Sequence, residues 1–563
     1  MKEKTKKSFF FEDYTESEIL FSNKKSNIRV LRNRINFLFF IFISLAFIFS
    51  VKIFHLSLYP AKDFSEKSNK NFISARSDIT DRNGIILARN VDIFSAGIRP
   101  NLVNDKKKLL LNLKIIFPDI DVKEIKKKLD KNKFFYLEKK VSQENYEKLR
   151  LLGDKSIIPE EKLSRIYPQE NLFSHIIGQI DDDNTGISGI EKYYDYELKK
   201  LNKPLRLTVD TDIQFLIRQE LVRFKNIFNN VGSSAILMDV NNGEVISMVS
   251  LPDFNLNKRE DIKDRIYINR ATKGVYELGS VFKTFTLAGG LNEGVIDTDT
   301  EFKDLPKRLE CAGNSIGEYD EKIPQDLTAE QILIRSGNIG SVRIAQKLGI
   351  EKFSKFLKTI GILDKIEFDI YEVGEPQVGR WGKCKLATAA FGHGVSTTLL
   401  QLAVGYSIVT NGGYEIKPTL VKKNLKSDIP RNRILNENVS SKINPILRKV
   451  VSTKEGTASF ANVSGYEVGG KTGTADQPKG GDYSLKKINT FVAIFPMQKP
   501  QYTLIVLLED PKPNKEYIYY YRDGRQPYKG NWRNTAGWTS VEIAGKIIEK
   551  IGPILATKYI EIN

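Results

Sequence analysis

The longest apolar stretch of the chain lies near its N-terminus. Between Phe37 and Val51 the apolar residues are interrupted only by two serines, and further apolar residues flank the run on both sides. A helix needs about 20 such residues to cross a bilayer, and this stretch is long enough. A buried soluble helix or a cleaved signal peptide fits less well, because Ser57-Leu58-Tyr59-Pro60 offers no small-x-small cleavage site. We predict a transmembrane helix over residues 35–58.

The charges around this helix predict its orientation. The residues just before it are basic, namely Lys24, Lys25, Arg29, Arg32 and Arg34. No acidic residue lies between Ile19 and Ala61. Because positive flanks stay in the cytoplasm, residues 1–34 are predicted to form a cytoplasmic basic tail, and everything after the helix is predicted to be exported. This pattern is typical of a single-pass inner-membrane protein with a periplasmic C-terminal part.

The pattern after the anchor changes at about residue 205. Residues 59–205 mix short strand patterns with Lys-rich amphipathic helices, including 122–131 and 144–151. A polar linker at 199–203 ends this first exported domain. Leu207 to Asp212 then reads as a strand followed by a helix cap, so we place a second domain at 206–563.

The second domain has strand patterns at both ends and helical patterns between them. Residues 234–240 and 244–249 flank the turn Asn241-Asn242-Gly243 and predict a hairpin. Two further strands are predicted at 489–496 and 502–508, and a closing helix at 541–551. This arrangement predicts an α+β fold.

Composition excludes several kinds of chemistry. The formal net charge is +18, yet no nucleic-acid motif accompanies it, so we assign the charge to a general lysine bias beside anionic lipid and wall polymer. The two cysteines, Cys311 and Cys384, cannot form a zinc cluster, and the sequence leaves open whether they pair or remain two small core residues. His393 is the one histidine of the second domain, which gives a Ser-His-Asp triad little support. No metal or cofactor is predicted, and no nucleic-acid partner.

Three short motifs carry candidate catalytic chemistry: Ser280-Val281-Phe282-Lys283, Ser336-Gly337-Asn338 and Lys471-Thr472-Gly473-Thr474. On a helix, residues three apart share a face, so the amine of the first motif can take the proton of its hydroxyl. Each motif alone is common. Their order and spacing together match the set found in penicillin-binding proteins and class A β-lactamases. We therefore predict a serine acyl-transfer site with Ser280 as nucleophile and Lys283 as base.

The flanking residues resemble class B penicillin-binding proteins, the monofunctional peptidoglycan D,D-transpeptidases. The stretch Tyr276 to Lys283 is similar to the family's nucleophile segment, except that Leu278 stands where proline is common. Further similar stretches are Arg76 to Gly84, Arg165 to Pro168, Gly189 to Glu191, Gly392 to Ala403 and Lys454 to Ala458. The upstream stretches argue against a β-lactamase, which lacks that region. The resemblance implies an antiparallel five-stranded sheet covered by helices, with the third motif on an edge strand, and a mixed α/β pedestal domain at 59–205.

The resemblance also implies the role of each motif. Ser280 would attack the bond between the terminal D-alanines of a stem peptide, with backbone N–H donors of Ser280 and Thr474 stabilising the oxyanion. Ser336 would relay a proton, and Asn338 would bind the substrate backbone. The third motif would bind the terminal carboxylate through Lys471, Thr472 and Thr474, while Gly473 would let the substrate approach the strand. β-Lactams would acylate the same serine.

The third motif with its flanks, Val468 to Ala475, and the stretch Thr535 to Trp538 resemble division-specific transpeptidases of the FtsI type. This implies partnership with an FtsW-like glycan polymerase and other divisome proteins. The elongation-specific transpeptidases share all three motifs and remain the alternative. A membrane-tethered β-lactamase or a β-lactam sensor is less well supported. Two features stay open: His393 fits a structural turn or a substrate contact, and the aromatic, basic stretch 516–534 fits a surface loop or a contact for wall polymer or a partner.

Overall fold

A computed structural model describes residues 24–58, 76–258, 264–311, 314–423, 432–479, 482–522, 524–529 and 533–559. The chain divides into two units, residues 1–73 and 74–563. The described part of the first unit is helix α1 (Lys24–Leu58), within which residues 34–54 are long and apolar enough to cross a membrane. Most of the predicted basic tail, residues 1–23, lies outside the described residues.

The second unit begins with the predicted pedestal. Its elements are, in chain order, β1 (Ile79–Thr80), β2 (Ile86–Ile98), α2 (Lys106–Ile116), α3 (Val122–Asp130), β3 (Phe135–Val141), α4 (Gln143–Leu151), β4 (Ile157–Ile166), α5 (Ser174–Ile177), α6 (Gly189–Tyr193), α7 (Asp195–Leu198) and β5 (Leu205–Arg206). The long strand β2 pairs antiparallel with both β3 and β4, and β1 joins it to β5. Apolar faces of α2, α3 and α4 share a core with this sheet. The two predicted helices lie within one residue of α3 and α4.

A buried ion network holds the base of the pedestal together. The Glu191 carboxylate accepts from Arg76 Nε at 2.8 Å and from Arg165 Nε at 2.8 Å, and all three side chains are almost fully buried. Arg76 Nη1 also donates to Asp195 at 2.6 Å. Buried charges need such pairing, because an unpaired ion in the interior is strongly destabilising. Arg76, Arg165 and Glu191, which belong to the family-like stretches of the pedestal, therefore stabilise its fold through buried ion pairs.

The core continues from the base of the pedestal into the second predicted domain, residues 206–563, which is named the catalytic domain for the three candidate motifs that it carries. Residues such as Ile79 and Ile190 belong to the same apolar cluster as the catalytic-domain residues Ile213 and Ile236. The predicted strand at 207–209 is not present. The two-residue strand β5 lies just before it, and Leu207 makes an isolated bridge to Val421. The cap is confirmed, because the Asp210 side chain accepts from Ile213 N at the start of the next helix.

The catalytic domain continues with α8 (Thr211–Phe228), β6 (Gly232–Asp239), β7 (Val245–Leu251), β8 (Tyr276–Glu277), α9 (Phe282–Asn292), β9 (Glu301–Phe302), β10 (Arg308–Cys311), β11 (Asn314–Gly317), β12 (Leu327–Thr328), α10 (Ala329–Ile334), α11 (Asn338–Leu348), α12 (Ile350–Thr359), β13 (Gln377–Val378), α13 (Lys383–Ala389), β14 (Val395–Thr397) and α14 (Leu399–Thr410). It ends with α15 (Glu437–Ser452), β15 (Gly469–Lys479), β16 (Asp482–Phe495), β17 (Tyr502–Glu509), β18 (Ile518–Tyr519), β19 (Tyr528–Lys529) and α16 (Ser540–Tyr559).

The central sheet has the order β15-β16-β17-β6-β7, and every pair is antiparallel. Helices α8 and α16 pack on each other and on the sheet, as do α14 and α15. Because both faces of β6 and β17 are buried, the two helix pairs cover opposite faces. The predicted α+β fold is confirmed, with the third motif on the edge strand β15. A separate small sheet has the order β13-β14-β8, and β8 lies just before Ser280 in the chain.

Candidate active site

The first motif lies at a sharp turn into α9. Ser280 is in a 3₁₀ turn (Gly279–Val281) that leads directly into the helix, and Lys283 is the second residue of the helix. Gly279 has φ +62°, and a Cβ there would lie 2.7 Å from the Thr474 carbonyl oxygen. The buried Tyr406 hydroxyl donates to Val281 O at 2.7 Å from α14. The turn is therefore fixed on one side by the edge strand and on the other by a core helix.

Lys283 is fully buried and points at the second motif. Its Nζ donates to Ser336 O at 2.5 Å and to Asn338 Oδ1 at 2.6 Å, and Ser336 Oγ lies 3.2 Å away. In the described part of the chain no hydrogen bond joins this amine to Ser280 Oγ. Burial lowers the pKa of Lys283 from 10.5 to about 7, against an upward effect of the Glu318 carboxylate. A neutral amine keeps two N–H donors for the two carbonyl oxygens and has a lone pair left to accept a proton.

The second motif brings two lysines to one hydroxyl. Ser336 has φ +57°, a left-handed conformation that is uncommon outside glycine and asparagine and that persists only where the surroundings hold it. Its Oγ accepts from Lys471 Nζ at 2.7 Å. Burial and the nearby Lys283 charge lower the pKa of Lys471 well below its ordinary value. The motif leads directly into α11, which begins at Asn338.

The third motif occupies the edge of the sheet and meets the nucleophile segment. A Cβ on Gly473 would lie 2.2 Å from Leu278 O, so glycine is required here by the chain's own backbone. Approach of the substrate, which the resemblance implies for Gly473, stays a prediction. The Thr472 hydroxyl is 2.7 Å from that of Thr457, and Thr474 Oγ1 accepts from Ala536 N at 3.0 Å. The stretches 454–458 and 535–538, which resemble the family, therefore both contact this motif.

Sequence reasoning missed a hairpin that contacts the second motif. Gly317 O accepts from Asn338 Nδ2 at 2.7 Å, and the Glu318 carboxylate accepts from backbone N–H groups of α11. Cys311 on β10 forms a disulfide with Cys384 on α13, with a Cα–Cα distance of 5.5 Å. The two cysteines were the sequence signal for this contact, but whether they pair depends on their distance in the folded chain.

His393 lies beside this site. Its ring contacts Phe391 and Tyr483, and burial lowers its pKa. Gly392 before it packs on Gly279, where a Cβ would lie 2.1 Å from the Gly279 oxygen. These contacts support the turn interpretation and leave a substrate contact untested.

The aromatic stretch 516–534 packs partly into the core in its described residues. Tyr519 is fully buried, and its ring contacts Phe460 and Trp538. The short strands β18 and β19 pair in this stretch. These contacts anchor one part of the segment to the domain, while residues 524–527 are exposed, so both interpretations of the stretch stay open.

The fold and the three converging motifs are those of a penicillin-binding enzyme. The penicillin-binding protein transpeptidase domain matches residues 233–525, and the penicillin-binding protein dimerisation domain matches residues 73–216. The chain belongs to the class B penicillin-binding proteins, of the FtsI type, and is a peptidoglycan D,D-transpeptidase.

Relatives from distant bacteria cover most of the chain. The probable peptidoglycan D,D-transpeptidase FtsI of Caulobacter vibrioides is 29% identical over 498 residues, 86% of this chain and 82% of that protein. The stage V sporulation protein D of Bacillus subtilis is 30% identical, over 80% of this chain and 76% of that protein. Escherichia coli FtsI is 26% identical, over 79% and 80%. The crystal structure of a peptidoglycan synthetase from Bifidobacterium adolescentis shares the fold with a TM-score of 0.63 and 21% identity, covering 87% of this chain and 96% of that one.

Proposed function

We propose that this chain cross-links peptidoglycan stem peptides during septal wall synthesis, through an acyl-enzyme on Ser280. The observation that carries the mechanism is the buried Lys283 amine, held by Ser336 O and Asn338 Oδ1 and with its pKa lowered to about 7. A base must be neutral to accept the Ser280 proton, and a lysine becomes neutral near pH 7 when it is desolvated.

The reaction then proceeds in two transfers. Ser280 Oγ gives its proton to Lys283 and attacks the carbonyl carbon between the two D-alanines. The oxyanion is stabilised by the N–H groups of Ser280 and Thr474, and the terminal carboxylate is bound by Lys471, Thr472 and Thr474. The proton passes to the departing amine through the Ser336 hydroxyl, and D-alanine leaves. The acceptor amine of a second stem peptide attacks the ester, loses a proton to the same base, and Ser280 recovers its hydroxyl.

Asn338 and Gly473 complete the site. Asn338 Nδ2 has two hydrogens, and one of them is given to Gly317 O. The other hydrogen is left for a substrate carbonyl. Gly473 lets strand β15 lie against the nucleophile segment, and we expect the N–H groups of Thr474 and Ser280 to donate to the same substrate carbonyl oxygen.

Fluorescent penicillin labelling tests the mechanism. The detergent-solubilised full chain is expected to form an adduct that persists for many minutes, and Ser280→Ala is expected to form none. Rapid loss of the adduct would instead support the β-lactamase alternative. Undiminished labelling of the Ser280→Ala protein would refute the assignment of the nucleophile.

The septal role rests on the relatives named FtsI in Caulobacter vibrioides and Escherichia coli. It implies a divisome setting, with an FtsW-like glycan polymerase as partner of the anchor and pedestal. Depletion of the protein is expected to give filaments with unfinished septa. Rounded and swollen cells would support the elongation-specific alternative.

The membrane orientation follows from the charges before the span at residues 34–54. We place the N-terminus in the cytoplasm and the catalytic domain in the periplasm. Protease added to intact spheroplasts should remove the catalytic domain. A domain that is protected until the inner membrane is opened would show the opposite orientation.

A further inference from the structure

Glu318 caps the helix that starts with the catalytic amide. Its Oε2 accepts from Asn338 N at 2.7 Å and its Oε1 accepts from Ile339 N at 2.9 Å. These are the first two N–H groups of α11, which have no acceptor inside the helix. The N-cap residue is Gly337, which has no side chain to serve them. A carboxylate brought from the β10–β11 hairpin therefore replaces the missing cap at the positive end of the helix.

The residue before Glu318 fixes the direction of the Asn338 amide. Gly317 O accepts from Asn338 Nδ2 at 2.7 Å, which turns Oδ1 toward Lys283 Nζ at 2.6 Å. An amide has a donor nitrogen at one end and an acceptor oxygen at the other. Because Gly317 O takes the nitrogen end, the oxygen end faces the Lys283 amine. The backbone and side chain of Asn338 are thus both held by the same hairpin.

Building on the proposed function, we propose that Glu318 is a positioning residue for the transpeptidation reaction. By fixing Asn338 N and Ile339 N, it holds the second motif so that Ser336 O and Asn338 Oδ1 direct the Lys283 amine. Such support is needed because Ser336 is in a left-handed conformation, which relaxes unless the following residues are fixed.

Glu318 also acts on Lys283 through its charge. The titratable groups that interact with Lys283 are Glu318, Lys471 and His393. The Glu318 carboxylate raises the pKa of Lys283, which opposes the effect of burial. Removing that charge while keeping the side-chain shape should therefore ease deprotonation of Lys283 and at the same time loosen its positioning. The easier deprotonation moves the acid limb of the pH profile, whereas the looser positioning lowers the rate at pH 8.5. A pH profile therefore distinguishes the two effects.

The test is the pH profile of β-lactam acylation in the detergent-solubilised full chain. In Glu318→Gln the amide offers one acceptor atom where the carboxylate offered two. We expect acylation at pH 8.5 to fall about 10- to 100-fold, as for a misplaced catalytic group. We expect the acid limb of the profile to move to lower pH by roughly 0.5, because a negative neighbour has been removed. Saturating label should still reach the wild-type stoichiometry.

Glu321→Gln is the matched control, because it makes the same change on the same loop at an exposed residue. It should leave both rate and pH profile unchanged. If Glu318→Gln does not fold, Glu318→Asp keeps the charge with a shorter reach, and is expected to acylate slowly with an unmoved acid limb.

Wild-type rates at pH 8.5 in the folded Gln or Asp variant would overturn the proposal, as would a lowered melting temperature with no change in rate. The proposed function fails separately, if Ser280→Ala still becomes labelled.

Discussion

Replacing Lys283 by arginine tests the base most directly. Arginine keeps hydrogen-bond donors but does not deprotonate in proteins, so it stays charged at pH values where Lys283 is mostly neutral. The pKa of Lys283 falls from 10.5 to about 7, which corresponds to about 5 kcal/mol of preference for the neutral amine. At pH 7.5 most of this lysine is then neutral, whereas an unperturbed lysine would be neutral in roughly one molecule in a thousand.

The expected loss of rate is that of removing a general base. Lys283→Arg should lower the second-order rate of β-lactam acylation by at least ~10²-fold, the usual contribution of a general base. In the wild type the rate should rise with pH through about 7 and level off above it, because the neutral form increases as pH passes the lowered pKa. Below pH 6 the rate should fall about tenfold per pH unit.

Stopped-flow quenching of fluorescence, or timed labelling on gels, measures this rate. The control is Lys449→Arg, which makes the same substitution at a partly exposed lysine paired with Glu330, and it should acylate normally. Thermal unfolding confirms that both variants are folded. Acylation of folded Lys283→Arg within tenfold of wild type, or a wild-type rate that does not change between pH 5.5 and 8, would remove Lys283 from the role of base.

Three further predictions concern the framework of the site and of the pedestal. Gly473→Ala should abolish labelling in folded protein, because its Cβ would lie 2.2 Å from a backbone oxygen, whereas Gly382→Ala has nothing within 4 Å and should label normally. Reducing the Cys311–Cys384 disulfide, which spans 73 residues, should lower the free energy of unfolding by roughly 4 kcal/mol; the double alanine variant should melt identically with and without reductant. Glu191→Gln leaves two buried arginines poorly compensated and should cost about 3–5 kcal/mol, seen as a lower denaturant midpoint; an unchanged midpoint would contradict the buried network.

Local sequence patterns were sufficient for the elements whose signal is short-range. The hairpin predicted around Asn241-Asn242-Gly243 appears as β6 and β7, because turn chemistry and short apolar runs act over a few residues. The closing helix is present but runs on to Tyr559, past Pro553, since helix ends depend on packing as well as on local propensity. The apolar N-terminal run predicted α1 from composition alone.

The three motifs could be recognised in the sequence, but their chemistry depends on distances that only the tertiary structure sets. Lys283 and Lys471 are 188 positions apart in the sequence, and both amines contact Ser336. Burial of these amines, which lowers their pKa values, arises from the whole domain closing over them. No local pattern encodes that desolvation.

The sequence by itself determined the candidate catalytic motifs, an apolar run long enough to span a membrane and the order of the domains, because residue types, apolar runs and motif order are written along the chain. Tertiary structure alone decided that Cys311 and Cys384 pair, that Glu318 caps the helix of the second motif, and that Gly473 serves the backbone of the nucleophile segment. Each of these depends on contacts between segments far apart in sequence, and such contacts are selected by packing of the complete core.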